Sequence, residues 1–240
     1  MPAIDDVIAR ALGYPYPRPD HSFLFTNGAA EVLPSGTRFD DLVPVLACGS
    51  NGAPEQLFRK FGAAAENPIP VTAAVLQDIC CTYSAHFSGY GSVAAGLSLA
   101  PGARSFVHIT WLTPVQLEKM HESEAIGANY RYARLDGVSI DCAAHGPLDS
   151  IYAYISRHGS LVLKGTPITL AGIKSEANPF PAYDQLQIQS ALRDGIAPGM
   201  DLHEFIRETI DDAAIRAERT KYLRRNTQKF DHPAVTTILK

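Results

Sequence analysis

Val43-Pro44-Val45-Leu46-Ala47-Cys48-Gly49-Ser50-Asn51-Gly52-Ala53-Pro54-Glu55-Gln56-Leu57-Phe58 is the stretch on which the fold turns. The apolar run Val43–Cys48 stops at a glycine and reads as a short buried strand. Gly49-Ser50-Asn51-Gly52 breaks it, and Pro54 to Phe61 reads as a helix, with Leu57, Phe58 and Phe61 at helical spacing. A small-residue loop between a strand and a helix start has free backbone amides, and glycine lets a ligand approach closely. A carboxylate or phosphate suits such a loop. The Walker A lysine and the GxGxxG pattern are both missing, so a nucleotide is not indicated.

Further along, Leu112-Thr113-Pro114-Val115-Gln116-Leu117-Glu118-Lys119-Met120-His121-Glu122-Ser123-Glu124-Ala125-Ile126-Gly127 carries unusually full helix punctuation. Thr113 is the N-cap, Pro114 takes the first helical position and Gln116 completes a capping box. Leu112 and Leu117 suit a hydrophobic staple, and Gly127 is expected to end the helix. At about 100° per residue, Leu117, Met120, His121 and Glu124 share a face, while Glu118, Lys119 and Glu122 point to water. A carboxylate on an apolar stripe loses hydration, which makes Glu124 a candidate general base or acid. An inward Glu satisfied by a neighbouring arginine, tyrosine or backbone amide is the plainer alternative.

The rest of the chain reads as strands followed by helices, which is α+β rather than a doubly wound sheet. Strands are expected at Val71–Ser84, Val93–Leu99 and Phe106–Leu112, and with weaker signals at Ile151–Ile155 and Ile168–Ile173. Tyr130–Leu135 and Val138–Cys142 fit a hairpin turning at Asp136-Gly137. Helices are expected from Pro181 to Arg193, closed by Gly195, and from Asp201 onward, where Glu204 stands three residues after the cap. Basic residues between Arg216 and Arg225 suit the late turns of that last helix. Residues 1–42 hold a short amphipathic helix (Ile4, Val7, Ile8, Ala11, Leu12), three prolines at 15, 17 and 19, and turns at Asn27-Gly28 and Pro34-Ser35-Gly36. They are expected to wrap a domain spanning 43–210, with 211–240 as helix end and tail.

Composition narrows the function. Among 240 residues, 46% are hydrophobic and 19% charged, enough for a sizeable core. Twenty-one Lys+Arg against 25 Asp+Glu give a net charge of −4, which offers no electrostatic case for nucleic acid. No apolar run approaches a membrane span. Cys48, Cys80, Cys81 and Cys142 show no metal or disulfide spacing, and the first residues are acidic where a signal peptide is basic, so a cytoplasmic protein is expected. Cys48 as a nucleophile, or His121 with Glu124 as metal ligands, lacks supporting motifs; no metal is expected.

Loop and helix together resemble the γ-glutamylcyclotransferase-like family (AIG2-like, or BtrG-like). That family shows a strand, a Tyr-Gly-Ser/Thr-Asn loop and a helix, matched here by Val45-Leu46-Ala47-Cys48-Gly49-Ser50-Asn51. A small-residue strand (Ser92–Ala95), a Pro101-Gly102 turn, the strand Phe106–Leu112 and a helix with the family glutamate, Glu124, follow in order, then Tyr130. Asn178-Pro179-Phe180-Pro181-Ala182-Tyr183 with Asp194-Gly195 is similar to the family's late Pro-Ser-x-x-Tyr segment. The resemblance spans roughly 43 to 210. It implies a small mixed β-barrel or sheet with flanking helices, and cyclisation of a γ-glutamyl amide to 5-oxoproline with release of an amine. Glu124 would be the base and acid, Cys48, Gly49, Ser50, Asn51, Gly52, Tyr130 and Tyr183 would contact substrate, and no cofactor is implied. Cys48 stands where the family carries tyrosine, and Ala125 where relatives often have glycine. A non-catalytic small-molecule or protein-binding module on the same fold is therefore the competing reading. The proline-rich N-terminal segment either lids the pocket or mediates homodimerisation, and the residues do not choose.

Overall fold

The computed structural model describes residues 4–64 and 66–240. Helix α1 (Ile4–Leu12) leads into the hairpin β1 (Phe23–Thr26) and β2 (Ala29–Val32), then β3 (Val43–Ala47) and helix α2 (Pro54–Phe61). Two long strands follow, β4 (Ile69–Phe87) and β5 (Val93–Leu112), then helix α3 (Pro114–Ser123), β6 (Tyr130–Cys142), β7 (Leu148–Ser156) and β8 (Ser160–Leu163). Helices α4 (Gln185–Ile196), α5 (Leu202–Asp211) and α6 (Ala213–Leu223) precede a last strand, Val235–Leu239.

The pairings β5–β3, β3–β7, β7–β6, β6–β4 and β4–β5 close a ring, so five strands form a barrel in this α+β protein. All are antiparallel except β3 with β7, where Val45 faces Tyr152. Closure leaves these strands no free edge within the barrel. Beyond the barrel, β4 and β5 continue as a paired ribbon from Ile79↔Leu99 to Phe87↔Val93, where helices α4 to α6 pack. The principal core joins Trp111, Tyr83, Leu76, Ile109 and Leu97 to the helical Ile188, Leu192 and Phe205; a second cluster around Phe23, Phe25, Leu57, Ile69 and Met120 seats α2 and α3. Burying each such side chain is worth about 1.5–3 kcal/mol. Trp111 keeps its indole N–H satisfied by donating to Thr72 Oγ1 at 2.9 Å.

Several local expectations change. Asp136-Gly137 does not turn a hairpin. β6 runs through it with a register shift between Asp136 and Ile140, and pairs instead with the later β7. A Gly with positive φ (66° at Gly137) serves a bulge as readily as a turn. Pro101-Gly102 likewise lies inside β5, opposite Asp78, whose side chain accepts the Gly102 N–H at 2.7 Å. The helix expected from Pro181 begins at Gln185 under an Asp184 cap, Ala182–Tyr183 being a short strand, and it runs through Gly195 to Ile196. The helix expected from Asp201 is interrupted at Asp212, which caps α6 by accepting from Ala214 and Ile215. Within residues 1–42, β1 joins the sheet: Phe23 pairs with Val71, and Phe23 and Phe25 are fully buried. Val235–Leu239 in turn pairs with β6. No described helix is long and apolar enough to cross a membrane.

Candidate functional site

β3 ends at Ala47, and the chain then makes one short 3₁₀ turn, Ser50–Gly52, before Pro54 starts α2. The amides of Gly49 and Ser50 donate to no protein group among the described residues. Space is tight: a Cβ at Gly49 would strike the Tyr14 hydroxyl and come within 2.9 Å of Ala95 Cβ. Glycine is required there by packing.

This loop is one wall of a cavity of about 260 Å³. Cys48, Gly49, Ser50, Asn51, Glu124 and Tyr130 all line it. Gly52 does not; a Cβ there would lie 3.0 Å from His108, so its role is packing. Tyr183 is also absent from the cavity. Its carbonyl accepts from the Tyr83 hydroxyl at 2.9 Å, and the side chain packs against the principal core. Ala182–Tyr183 form a short strand ahead of helix α4, which sets Tyr183 apart from the cavity.

Helix α3 forms with the expected capping box at Thr113 and Gln116, but it stops at Ser123. Glu124 is its C-cap (φ −96°, ψ 3°), and Ala125 has a positive φ of 47°. The carboxylate therefore leaves the helix end rather than the middle of an apolar stripe. Met120 is fully buried, Leu117 and His121 are half-buried, and Glu118, Lys119 and Glu122 are exposed.

At its new position Glu124 has a counter-ion. Lys60, in the last turn of α2, donates to Glu124 Oε1 and also lies 3.2 Å from Met120 Sδ. Asn51 Nδ2 donates to the same Oε1 at 3.0 Å, which ties the small-residue loop directly to the acid. Side-chain exposure is 6% for Lys60 and 13% for Glu124. An opposite charge in contact compensates the hydration lost on burial. Both recorded bonds fall on Oε1; Oε2 has no partner among the described residues and is not sealed from the cavity.

Two phenols complete the wall. Ala95 of β5 has its N–H bound by the Tyr14 hydroxyl at 3.0 Å, and its carbonyl accepts from the Tyr130 hydroxyl at 2.8 Å. Burial raises both pKa values, so these are neutral hydroxyls whose bonding capacity holds the strand backbone. Tyr154 lines the cavity too and shares a 2.8 Å hydrogen bond with His121 Nδ1. Among the described residues, no cluster of side chains could hold a metal ion.

Sequence reasoning missed Lys60, Tyr14, His86 and Tyr90, all of which line the cavity. Lys60 reads as an ordinary basic residue suited to a helix end, and Tyr14 belongs to a segment assigned to wrapping. One signal was present: Thr82, Ser84 and His86 alternate along a strand too apolar to face water, which marks a polar wall inside the protein.

No protein-family profile and no curated protein matches the chain. Among solved structures, a gamma-glutamyl cyclotransferase superposes with TM-score 0.37 and 12% identity, covering 75% of this chain and 99% of that one. An uncharacterized protein from Homo sapiens gives 0.36 and 13%, covering 78% and 100%. A solution structure from Arabidopsis thaliana gives 0.36 and 15%, covering 49% and 70%. Likenesses at this level leave the fold to be argued from the strand pairings themselves and say nothing of substrate.

Proposed function

We propose that the cavity cyclises a γ-glutamyl amide to 5-oxoproline and releases an amine. One observation carries this reading: Glu124 and the free loop amides share a small cavity, with Oε1 fixed by Lys60 and Asn51 and Oε2 open. The α-ammonium of the substrate must lose a proton before its nitrogen attacks the γ-carbonyl. Glu124 Oε2 takes that proton, the new C–N bond closes the five-membered ring, and the amides of Gly49 and Ser50 receive the developing oxyanion. Glu124 returns that proton to the leaving nitrogen as its bond breaks, then takes the second proton from the ring nitrogen and passes it to the released amine, which departs as an ammonium. Lys60 takes the substrate's α-carboxylate as the ammonium takes its place beside Glu124, so a zwitterionic head exchanges for an internal ion pair.

Incubation with γ-glutamyl amino acids or glutathione should yield 5-oxoproline. Glu124→Gln should lower its formation roughly 10²- to 10⁴-fold, whereas Cys48→Ala should retain it. The reverse pattern would transfer the chemistry to the thiol. The Lys60–Glu124 pair also favours a second reading, a binding module whose acid serves only to hold a cation. A ligand-dependent rise in melting temperature with no product would select that one.

A further inference from the structure

Past the barrel, β4 presents Thr82, Ser84 and His86 on one face, all buried. The ladder between β4 and β5 is interrupted between Tyr83 and Phe87, so Ser84 and His86 bond sideways. Ser84 Oγ lies 2.7 Å from His86 Nδ1 and 2.6 Å from Ser156 Oγ, and the His158 N–H donates to Ser156 Oγ at 3.0 Å. A backbone N–H can only donate, and this gives the chain its direction. Ser156 passes its hydrogen to Ser84, and Ser84 passes its own to His86 Nδ1. The opposite direction leaves the Ser156 hydroxyl hydrogen without an acceptor among the described residues. His86 thus accepts at Nδ1 and carries its ring hydrogen on Nε2.

That nitrogen has no partner among the described residues and is not sealed off, and His86 lines the same cavity as Glu124. We infer that His86 is a further catalytic residue, donating its Nε2–H to the carbonyl oxygen of the bound acyl substrate. The inference rests on the ring-closing reading above. It adds a side-chain donor to the loop amides and restricts the site to ligands with a carbonyl at that point.

The surroundings hold the ring in place. Tyr130 meets it edge-on with centroids 5.4 Å apart, and the His158 ring lies 4.8 Å away. His158 is itself fixed, donating from Nε2 to Asn129 Oδ1 at 3.0 Å and accepting at Nδ1 from Arg224. Burial first, then the neighbouring His158 and Arg224, lower the His86 pKa to about 3 and keep the ring neutral. A neutral imidazole polarises a carbonyl without competing for the proton that Glu124 moves. A donor fixed before the substrate arrives needs no reorganisation during the reaction.

The test is long-range ¹H–¹⁵N spectroscopy of the ¹⁵N-histidine-labelled full chain, with 5-oxoproline as probe. The expected result is a neutral Nε2–H tautomer for His86 between pH 6 and 8, and a shift of that resonance, larger than that of His158, when 5-oxoproline is added. A Nδ1–H tautomer, a cationic ring at neutral pH, or a resonance unmoved by saturating 5-oxoproline overturns the inference. In kinetics, His86→Leu should lower kcat roughly 10²- to 10³-fold, as expected for one oxyanion donor. His86→Gln, which keeps an N–H in place, should recover at least about tenfold of that loss. His86→Leu turning over like the wild type sinks the His86 role and leaves Glu124 untouched. Equal turnover by wild type and Glu124→Gln sinks the ring-closing reading, and the spectra still decide whether His86 donates to a carbonyl. If His86→Leu fails to fold, the spectra and the Gln variant settle the matter.

Discussion

Two cations are buried to the same 6% side-chain exposure in this protein, Lys60 beside Glu124 and Arg219 beside Glu208. Arg219 is bonded through both terminal nitrogens. Its guanidinium bonds Glu208 at 2.6 Å, the Phe205 carbonyl and Thr209 Oγ1, each at 2.5 Å, and lies 3.9 Å over the Phe205 ring. Lys60 has one carboxylate oxygen and a thioether sulfur, and the second carboxylate oxygen opens on a cavity. A buried guanidinium with both terminal nitrogens bonded clamps α5 to α6. A buried pair with bonding capacity left over, next to empty space, is arranged to exchange partners. Burial alone therefore does not identify a site; unfilled valence beside a cavity does.

The sharpest way to break this contrast is Glu124→Gln against Glu208→Gln. The first should cost roughly 10²- to 10⁴-fold in turnover, the range for a positioned general base, while the second leaves turnover per folded molecule unchanged. Stability should sort the opposite way. Arg219→Met should lower unfolding free energy by about 2 kcal/mol, because it removes the charged donor that bridges the Phe205 carbonyl, Thr209 and Glu208, whereas Lys60→Met should cost about 1 kcal/mol, Glu124 keeping its bond from Asn51 and its access to the cavity. Urea denaturation of both variants decides this, and equal losses would erase the distinction.

Acid should act through three imidazoles, of which His86 lines the cavity. Burial holds His86 near pKa 3 and His108 and His158 near 4, below the usual 6.5. A group with a depressed imidazole pKa binds fewer protons folded than unfolded, so its stabilisation is full above about pH 7.5 and falls as pH drops through 6.5. By pH 5.5 the loss should be about 1 kcal/mol per imidazole. Denaturation curves at pH 7.5 and 5.5 should differ accordingly, and His86→Gln should shrink the difference; a flat profile would mean the imidazoles are hydrated. Gly49→Ala tests the cavity wall itself, because its Cβ meets Tyr14 and Ala95. Overpacking there should cost about 1–2 kcal/mol and weaken ligand binding, read by thermal melting with and without 5-oxoproline.

Much of the scaffold could be read locally. The Thr113 capping box, the Asp201 cap and the β3–loop–α2 unit depend on residues within a few positions of one another, and they form where their own chemistry places them. Misreadings share a cause. Asp136-Gly137 and Pro101-Gly102 carry turn chemistry that also suits a bulge, and the choice is made by the strand available to pair alongside. Likewise the loss of one helical turn moved Glu124 from an apolar stripe to a helix end.

By itself the sequence determined an α+β chain, a small-residue loop between a strand and a helix, and a well-capped helix followed by an acid. Only the folded chain decided what that acid meets. Lys60 lies 64 residues from Glu124, and Asn51 lies 73; Tyr14 and the strand backbone it binds are 81 residues apart. Such contacts leave no periodicity or spacing to read, because they are set by which strands close the barrel and how far each helix runs.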